Sequence, residues 1–275
     1  SGVKIIDDYA VEIQLTEIQP TFLYRVADDL AGIVPKDLVQ KSSVDFANKP
    51  VGCGPFKFEE WKRGSSVTVS AFEDYYGEGP YLDEIVFRIM PESPARVAAF
   101  KAKNLDTDIV FPAQYKQYKQ NPQYKDLLVE TAELWTRNIT FNMDKEKWQD
   151  KRVRQAFNYA IDAELIIEKL LADKAYKAVS WLPTTSPAFD PDLEGYEYNP
   201  EKAKELMQEA GYSQENPLKV TINGVDHPAW GIPIVEAIKP YLDKVGFEIK
   251  PLLLDGATHE QRVTSGEFDA FIWSN

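Results

Sequence analysis

Residues 217–273, PLKVTINGVDHPAWGIPIVEAIKPYLDKVGFEIKPLLLDGATHEQRVTSGEFDAFIW, decide the fold. Apolar residues follow a strand pattern at 217–223 and helical spacing over 229–245. The exchange then repeats as a strand at 247–253, a helix at 257–265 and a strand at 268–273. Strands joined by helices of this length make an α/β layer with crossover helices. Upstream, Asn199-Pro200-Glu201 opens a helix that Gly211 ends, glycine being the residue best able to take the left-handed cap. Residues 181–199, with Pro183, Pro187 and Pro191 among several aromatics, are too proline-rich for a helix. Before them come a strand at 136–143 and helices at 151–161 and 163–171.

The first half reads as strands with short helices. Val3–Ile6 and Ala10–Leu15 flank Asp7-Asp8 as an antiparallel hairpin, and Thr21–Leu30 has helical spacing. A turn cluster at 48–55 leads into a strand at 56–61, and Lys62-Arg63-Gly64-Ser65 turns it back into 67–69. Tyr81–Met90 is a further strand. Ser93-Pro94, a capping hydroxyl before a proline, starts a helix that runs to about Lys103.

Composition narrows the function. In 275 residues, 31 Lys and Arg stand against 44 Asp and Glu, and the net charge of −13 repels phosphate backbones and anionic membrane surfaces. Nucleic acid is therefore not an expected partner. The single cysteine, Cys53, excludes an intrachain disulfide and a multi-thiolate metal site. Placed between Gly52 and Gly54, it reads as a small packed residue in a tight turn. The two histidines, His227 and His259, lack ligand spacing and read as surface or hydrogen-bonded side chains, so neither metal nor cofactor is expected. There is no Gly-x-Ser-x-Gly elbow, and the acidic pairs Asp7-Asp8 and Glu59-Glu60 fall where turns and hairpin ends are expected. Asn138-Ile139-Thr140 fits a glycosylation acceptor but lies inside a strand. Ser1-Gly2 opens directly into strand sequence and the chain stops two residues after the strand at 268–273. The expectation is a piece of a longer exported protein, lacking material at both ends and any export signal.

An ordered series of motifs resembles the family 5 extracellular solute-binding proteins, the peptide-, dipeptide- and nickel-binding components of bacterial ABC importers. Val3–Val11 resembles that family's hairpin. Pro50-Val51-Gly52-Cys53-Gly54-Pro55-Phe56 is similar to its Pro-Val-Gly-Thr-Gly-Pro-Phe/Tyr signature, with cysteine in place of threonine. Asp74-Tyr75-Tyr76-Gly77, Leu82-Asp83-Glu84-Ile85, Arg96–Phe100, Phe141-Asn142, Asp150–Asp162 and Tyr198–Lys204 follow in the family's order.

The resemblance implies a periplasmic-binding-protein-like two-lobe α/β fold (type II), with mixed sheets and flanking helices. Residues 1–133 would form part of an incomplete first lobe and 134–275 most of the second. It further implies a binding protein, not an enzyme, at the periplasmic or extracellular face of the cytoplasmic membrane. Such a protein captures peptides in an interlobe cleft and hands them to ABC permease subunits, touching the membrane only through a missing anchor or the permease. Nickel chelate, an opine or an oligosaccharide are alternative ligands, and a hydrolase or a chaperone-like peptide sensor are alternatives of another class. Two segments match ligand-contacting or hinge segments, Trp135-Thr136-Arg137-Asn138 and Trp273-Ser274-Asn275. The expected contacts are Trp135, Arg137, Asn138, Trp273, Ser274 and Asn275, joined by His227 and Trp230. Arg137 is the candidate partner for a ligand carboxylate, and Trp135 and Trp273 the candidates for stacking.

Overall fold

In the computed structural model, which describes residues 2–28, 31–41, 43–227 and 230–274 (43–45 as backbone only), the N-terminal alternation folds as a hairpin. β1 (Val3–Asp7) pairs antiparallel with β2 (Ala10–Ile13), Val3 opposite Ile13. The helix expected over 21–30 is the single turn and a half α1 (Phe22–Val26), closed at Ala27; Leu30 lies outside the described residues. Two six-residue helices follow, α2 (Lys36–Lys41) and α3 (Ser43–Asn48), too short to announce themselves by periodicity.

Next comes a three-stranded antiparallel sheet with β4 (Ser66–Ala71) between β3 (Phe56–Lys62) and β5 (Glu84–Arg88). The strand expected over 81–90 keeps only the residues that pair with β4, Ser66 opposite Arg88 and Ser70 opposite Glu84. Cys53, expected to be packed, is exposed, because it sits in an open bend where a side chain at Gly52 or Gly54 would meet nothing. α4 (Ser93–Lys101) begins one residue earlier than expected. Ser93 is therefore inside the helix, and the capping position falls on Glu92, which makes no side-chain cap bond. Arg96 on α4 pairs with Asp108, whose carboxylate is almost entirely buried. These elements make one compact unit, Ser1–Asp108, in which no described residue is fully buried.

The second unit, Ile109–Asn275, holds the hydrophobic core. The lobe boundary expected between 133 and 134 falls within it. α5 (Pro112–Gln120) is tied to later parts of this unit through Glu130, which accepts hydrogen bonds from Tyr115 (2.8 Å), Lys119 (3.3 Å) and Lys174 (2.6 Å). These donors, Lys174 foremost, hold its carboxyl down at about 2. β6 (Arg137–Phe141) leads to α6 (Lys151–Tyr159), α7 (Ala163–Leu170) and α8 (Pro200–Glu209). Each helix starts on a carboxylate or amide that accepts a backbone N–H: Asp150 from Arg152, Asp162 from Leu165 and Asn199 from Lys202. Ala156 and Ala203, both without exposed surface, let α6 and α8 approach closely. Gly211 sits just past α8 at φ +90°, as its position in the sequence predicts.

β7 (Leu218–Val225), α9 (Ile232–Asp243), β8 (Phe247–Leu254), α10 (Gly256–Ser265) and β9 (Ala270–Ser274) complete the expected alternation. α9 begins three residues after the expected start at 229, which lies outside the described residues. The sheet order is β6-β9-β7-β8, parallel across β9, β7 and β8 and antiparallel at β6. β7 buries one face along its whole length, at Leu218, Val220, Ile222 and Gly224, while the other face is exposed at Lys219 and buried only at Asn223.

Around the start of β9 the polar groups interlock. The Asp269 carbonyl accepts from Trp148 Nε1 (2.8 Å) and from the Asn142 backbone (2.9 Å). Its carboxylate accepts from the Thr221 N–H (3.0 Å) and pairs with Lys147 (3.0 Å). Asn142 donates its amide to the carbonyls of Gly266 and Phe268, both at 3.0 Å. Asn142→Ala should therefore lower unfolding stability by about 1–3 kcal/mol, the loss of two hydrogen bonds of about 0.5–1.5 kcal/mol each, measured by urea denaturation with an unchanged m-value.

Candidate functional site

The order β8-β7-β9 reverses direction at β7: the chain leaves β7 through α9 to β8, then returns through α10 to the other side of β7. In open α/β sheets such a reversal leaves a crevice at the carboxyl ends of the two strands that flank it. Here those ends are Val225, with the following segment, and Ser274.

The segments that the sequence singled out meet at this point. β6 and β9 are hydrogen-bonded neighbours, with Arg137 opposite Ser274 and Asn138 opposite Trp273. Strand alternation puts Arg137 and Ser274 on one face of the sheet, Asn138 and Trp273 on the other. Asn275 lies outside the described residues. Trp135, just before β6, is 53% exposed, and Trp273 is 36% exposed.

His227 and Trp230 flank two residues outside the described ones, at the end of β7. Their rings stack at 4.5 Å, and the Trp230 ring meets that of Trp273 edge-on at 6.0 Å. Trp273 in turn lies flat on His259, 5.3 Å between centroids and 6° between planes, while Phe111 meets His227 edge-on at 5.6 Å. The result is a continuous aromatic line from Phe111 through His227, Trp230 and Trp273 to His259. Gly231 fixes one end: its N–H donates to the His227 carbonyl at 3.0 Å, and a Cβ there would stand 2.1 Å from the Val225 oxygen.

Beside the aromatics sit polar groups that are not fully used. Arg137 bonds Glu133 through Nη2 at 3.3 Å, but its buried Nε has no hydrogen-bond partner. Thr136 Oγ1, Asn223 Nδ2 and Ser274 Oγ are likewise buried without a partner. Asn138 is engaged within its own strand, accepting from Thr140 Oγ1 at 2.8 Å. Burial and the positive charge of Arg137 hold the His227 ring below its usual pKa, with Asp226 opposing them. His227 is accordingly neutral near pH 7. The groups present provide stacking faces and a guanidinium with an unused donor, a combination suited to holding an organic solute with an anionic end.

Sequence reasoning missed three members. Phe111 and Asn223 carry no local signal. His259, expected at the surface or hydrogen-bonded, is fully buried, and neither ring nitrogen makes a hydrogen bond of standard geometry. Its signal was positional, since His259 and Val263 lie four apart on the inward stripe of α10. A hollow of about 280 Å³ in the same unit, lined by Asp162, Glu164, Lys177 and Tyr198, shares no residue with the aromatic line.

Known proteins resemble this chain in fold and sequence. It is 30% identical to heme-binding protein A of Haemophilus influenzae over 99% of this chain and 51% of that protein. It is 28% identical to the dipeptide-binding protein of Escherichia coli over 97% of this chain and 51% of that protein. The solved structure of the ABC transporter-associated periplasmic binding protein DppA from Helicobacter pylori, in complex with the peptide STSA, superposes with a TM-score of 0.89. That match has 27% identity and covers 99% of this chain and 53% of that one. The chain spans about half the length of the curated relatives it matches.

The fold is thus that of the periplasmic binding proteins, α/β with mixed sheets, as the sequence implied. The model for bacterial extracellular solute-binding proteins, family 5 (middle region), matches residues 1–275, and the chain belongs to that family.

Gly231→Ala tests how the line is held. The added methyl must displace the Val225 or His227 backbone, so we expect a loss of about 1–3 kcal/mol and a changed tryptophan emission from separation of the His227–Trp230 stack. Chemical denaturation followed by fluorescence reads both.

Proposed function

We propose that the full-length protein is the substrate-binding component of an ABC import system, which captures oligopeptides or dipeptides and delivers them to a membrane permease without chemical change. The observation that carries this reading is the aromatic line at the sheet reversal, next to a guanidinium with an unused donor. Peptides share a carboxylate terminus and vary in side chain. Arg137 would hold the carboxylate, while Trp135, Trp230, Trp273 and His227 would offer faces to varied side chains. Ser274 and Asn275 would meet the peptide backbone, with Asn138 bracing the strand. A non-catalytic role is supported by the relatives, whose names are those of binding proteins. We retain 134–275 as most of the second lobe, and a site of action at the periplasmic or outer face of the cytoplasmic membrane. Among the described residues, no helix is long and apolar enough to cross a membrane.

A second reading follows from the heme-binding relative, since a planar macrocycle bearing carboxylates also suits stacking faces beside an arginine. Native mass spectrometry of the full-length protein, purified without refolding, separates the two. A distribution of peptide masses is expected; a single heme or metal-chelate mass would replace the substrate.

Arg137 is tested by comparing a peptide with its C-terminal amide. Arg137→Ala should weaken binding of the free acid by about 10–100-fold, the range of a hydrogen bond to a charged group, and change the amide little. Equal losses for both, measured by calorimetry, would remove Arg137 from the carboxylate role.

A further inference from the structure

His259 is the only fully buried residue of α10 and has no exposed surface. One face of its ring lies against Trp273, nearly parallel to it, and the Phe271 ring meets it edge-on at 5.9 Å. A neutral imidazole has one donor and one acceptor nitrogen, and an imidazolium has two donors. Neither nitrogen here finds a partner of standard geometry, and the neighbouring amide Asn223 Nδ2, also buried, finds none.

We propose that His259 is a positioning residue: in its neutral form it seats the Trp273 indole at the end of β9, and gaining a proton drives the ring off that seat, so that acidification disorders the aromatic line.

The surroundings support this. Among the described residues, no charged side chain acts on a charged ring in this slot. Of the elements packed around it, α10 carries Glu260 and Arg262 and β7 carries Lys219, none of which acts on the ring, and β9 carries no ionisable side chain. Burial lowers its pKa from the ordinary 6.5, and the Asn223 backbone, which favours the charged form, offsets only part of this. The sign follows. The ring is neutral at and above pH 6.5, and the seat is lost as pH falls through the lowered value in the folded protein. No solvent faces the ring, so a proton is accommodated only by moving the imidazole, and the indole resting on it loses its support. The other histidine, His227, reaches Trp273 only through Trp230.

The effect on the indole stands independently of the proposed function; only its effect on solute affinity rests on that reading. The test uses the ligand-free full-length protein, with the Trp273 indole N–H resonance assigned from Trp273→Phe and followed from about pH 8 to about pH 5. We expect the Trp273 resonance to move with a midpoint below 6.5 that coincides with titration of the His259 ring, and to stay still in His259→Phe. A Trp273 resonance indifferent to pH, one that moves equally in His259→Phe, or one that follows His227 instead would overturn the proposal. If His259→Phe does not fold, the two wild-type midpoints decide: unequal values overturn it. Affinity for the tetrapeptide Ser-Thr-Ser-Ala should then fall by about tenfold per pH unit below the midpoint in the wild type and not in His259→Phe. A tetrapeptide that binds at no pH counts against the proposed solute, and the resonance result alone then decides the role of His259.

Discussion

Everything at the functional end of the second unit depends on β9 satisfying two neighbours of opposite direction at once. It must run antiparallel to β6 and parallel to β7. Asp269, the residue before the strand, pins that arrangement by binding Trp148 and the Asn142 backbone with its carbonyl and Thr221 with its carboxylate. A slip of one residue would exchange the faces of Trp273 and Ser274 and move Ala270 and Ile272 out of the core. Register is therefore enforced twice, by apolar burial on one face and by charge-assisted hydrogen bonds at the strand entrance.

From that pin the site follows by geometry. Fixing β9 against β7 places two strand ends side by side where the chain order reverses, and beyond β7 the Gly231 N–H comes onto the His227 carbonyl. Gly231 makes this approach possible because any side chain would strike the Val225 carbonyl. The aromatic line draws its members from the start of α5, the end of β7, β9 and α10. The buried groups left without partners, on Thr136, Arg137, Asn223 and Ser274, gather on the strands next to it. A folded protein usually pairs such groups, so a cluster of exceptions marks a place where stability has yielded to another requirement.

Much of the architecture was legible because the responsible signals are local. Alternation in 217–223, the proline-led helix at Pro200 and the capping Asn199 each act within a few residues, and the structure places these elements where the sequence put them. The pairing of Trp135–Asn138 with Trp273–Ser274 was not legible from residues alone, since strands 137 positions apart in the chain carry no mark of their partner; the family resemblance supplied both segments. α2 and α3 escaped because six residues give less than two full turns of periodicity. Ser93 misled because a capping hydroxyl works only when the helix starts after it. His259 escaped for a different reason: a histidine at an inward helical position looks the same in sequence whether it finds a partner or not.

The energies at the aromatic line decide what kind of recognition it can support. An aromatic pair contributes about 0.5–1.5 kcal/mol beyond burial and tolerates any flat or apolar group laid on it. A charge-assisted hydrogen bond contributes about 1.5–3 kcal/mol and fixes position as well as sign. With several stacking faces and one available guanidinium donor, orientation would come from Arg137 and breadth from the rings. Breadth, however, requires that the rings keep their planes without a ligand to hold them. Trp273, over a third exposed, cannot obtain that from solvent; its plane is set by the flat contact with His259 beneath it. The buried imidazole, with no hydrogen bond of standard geometry, is then intelligible: an apolar ring could support the indole, but only histidine makes the support conditional on pH.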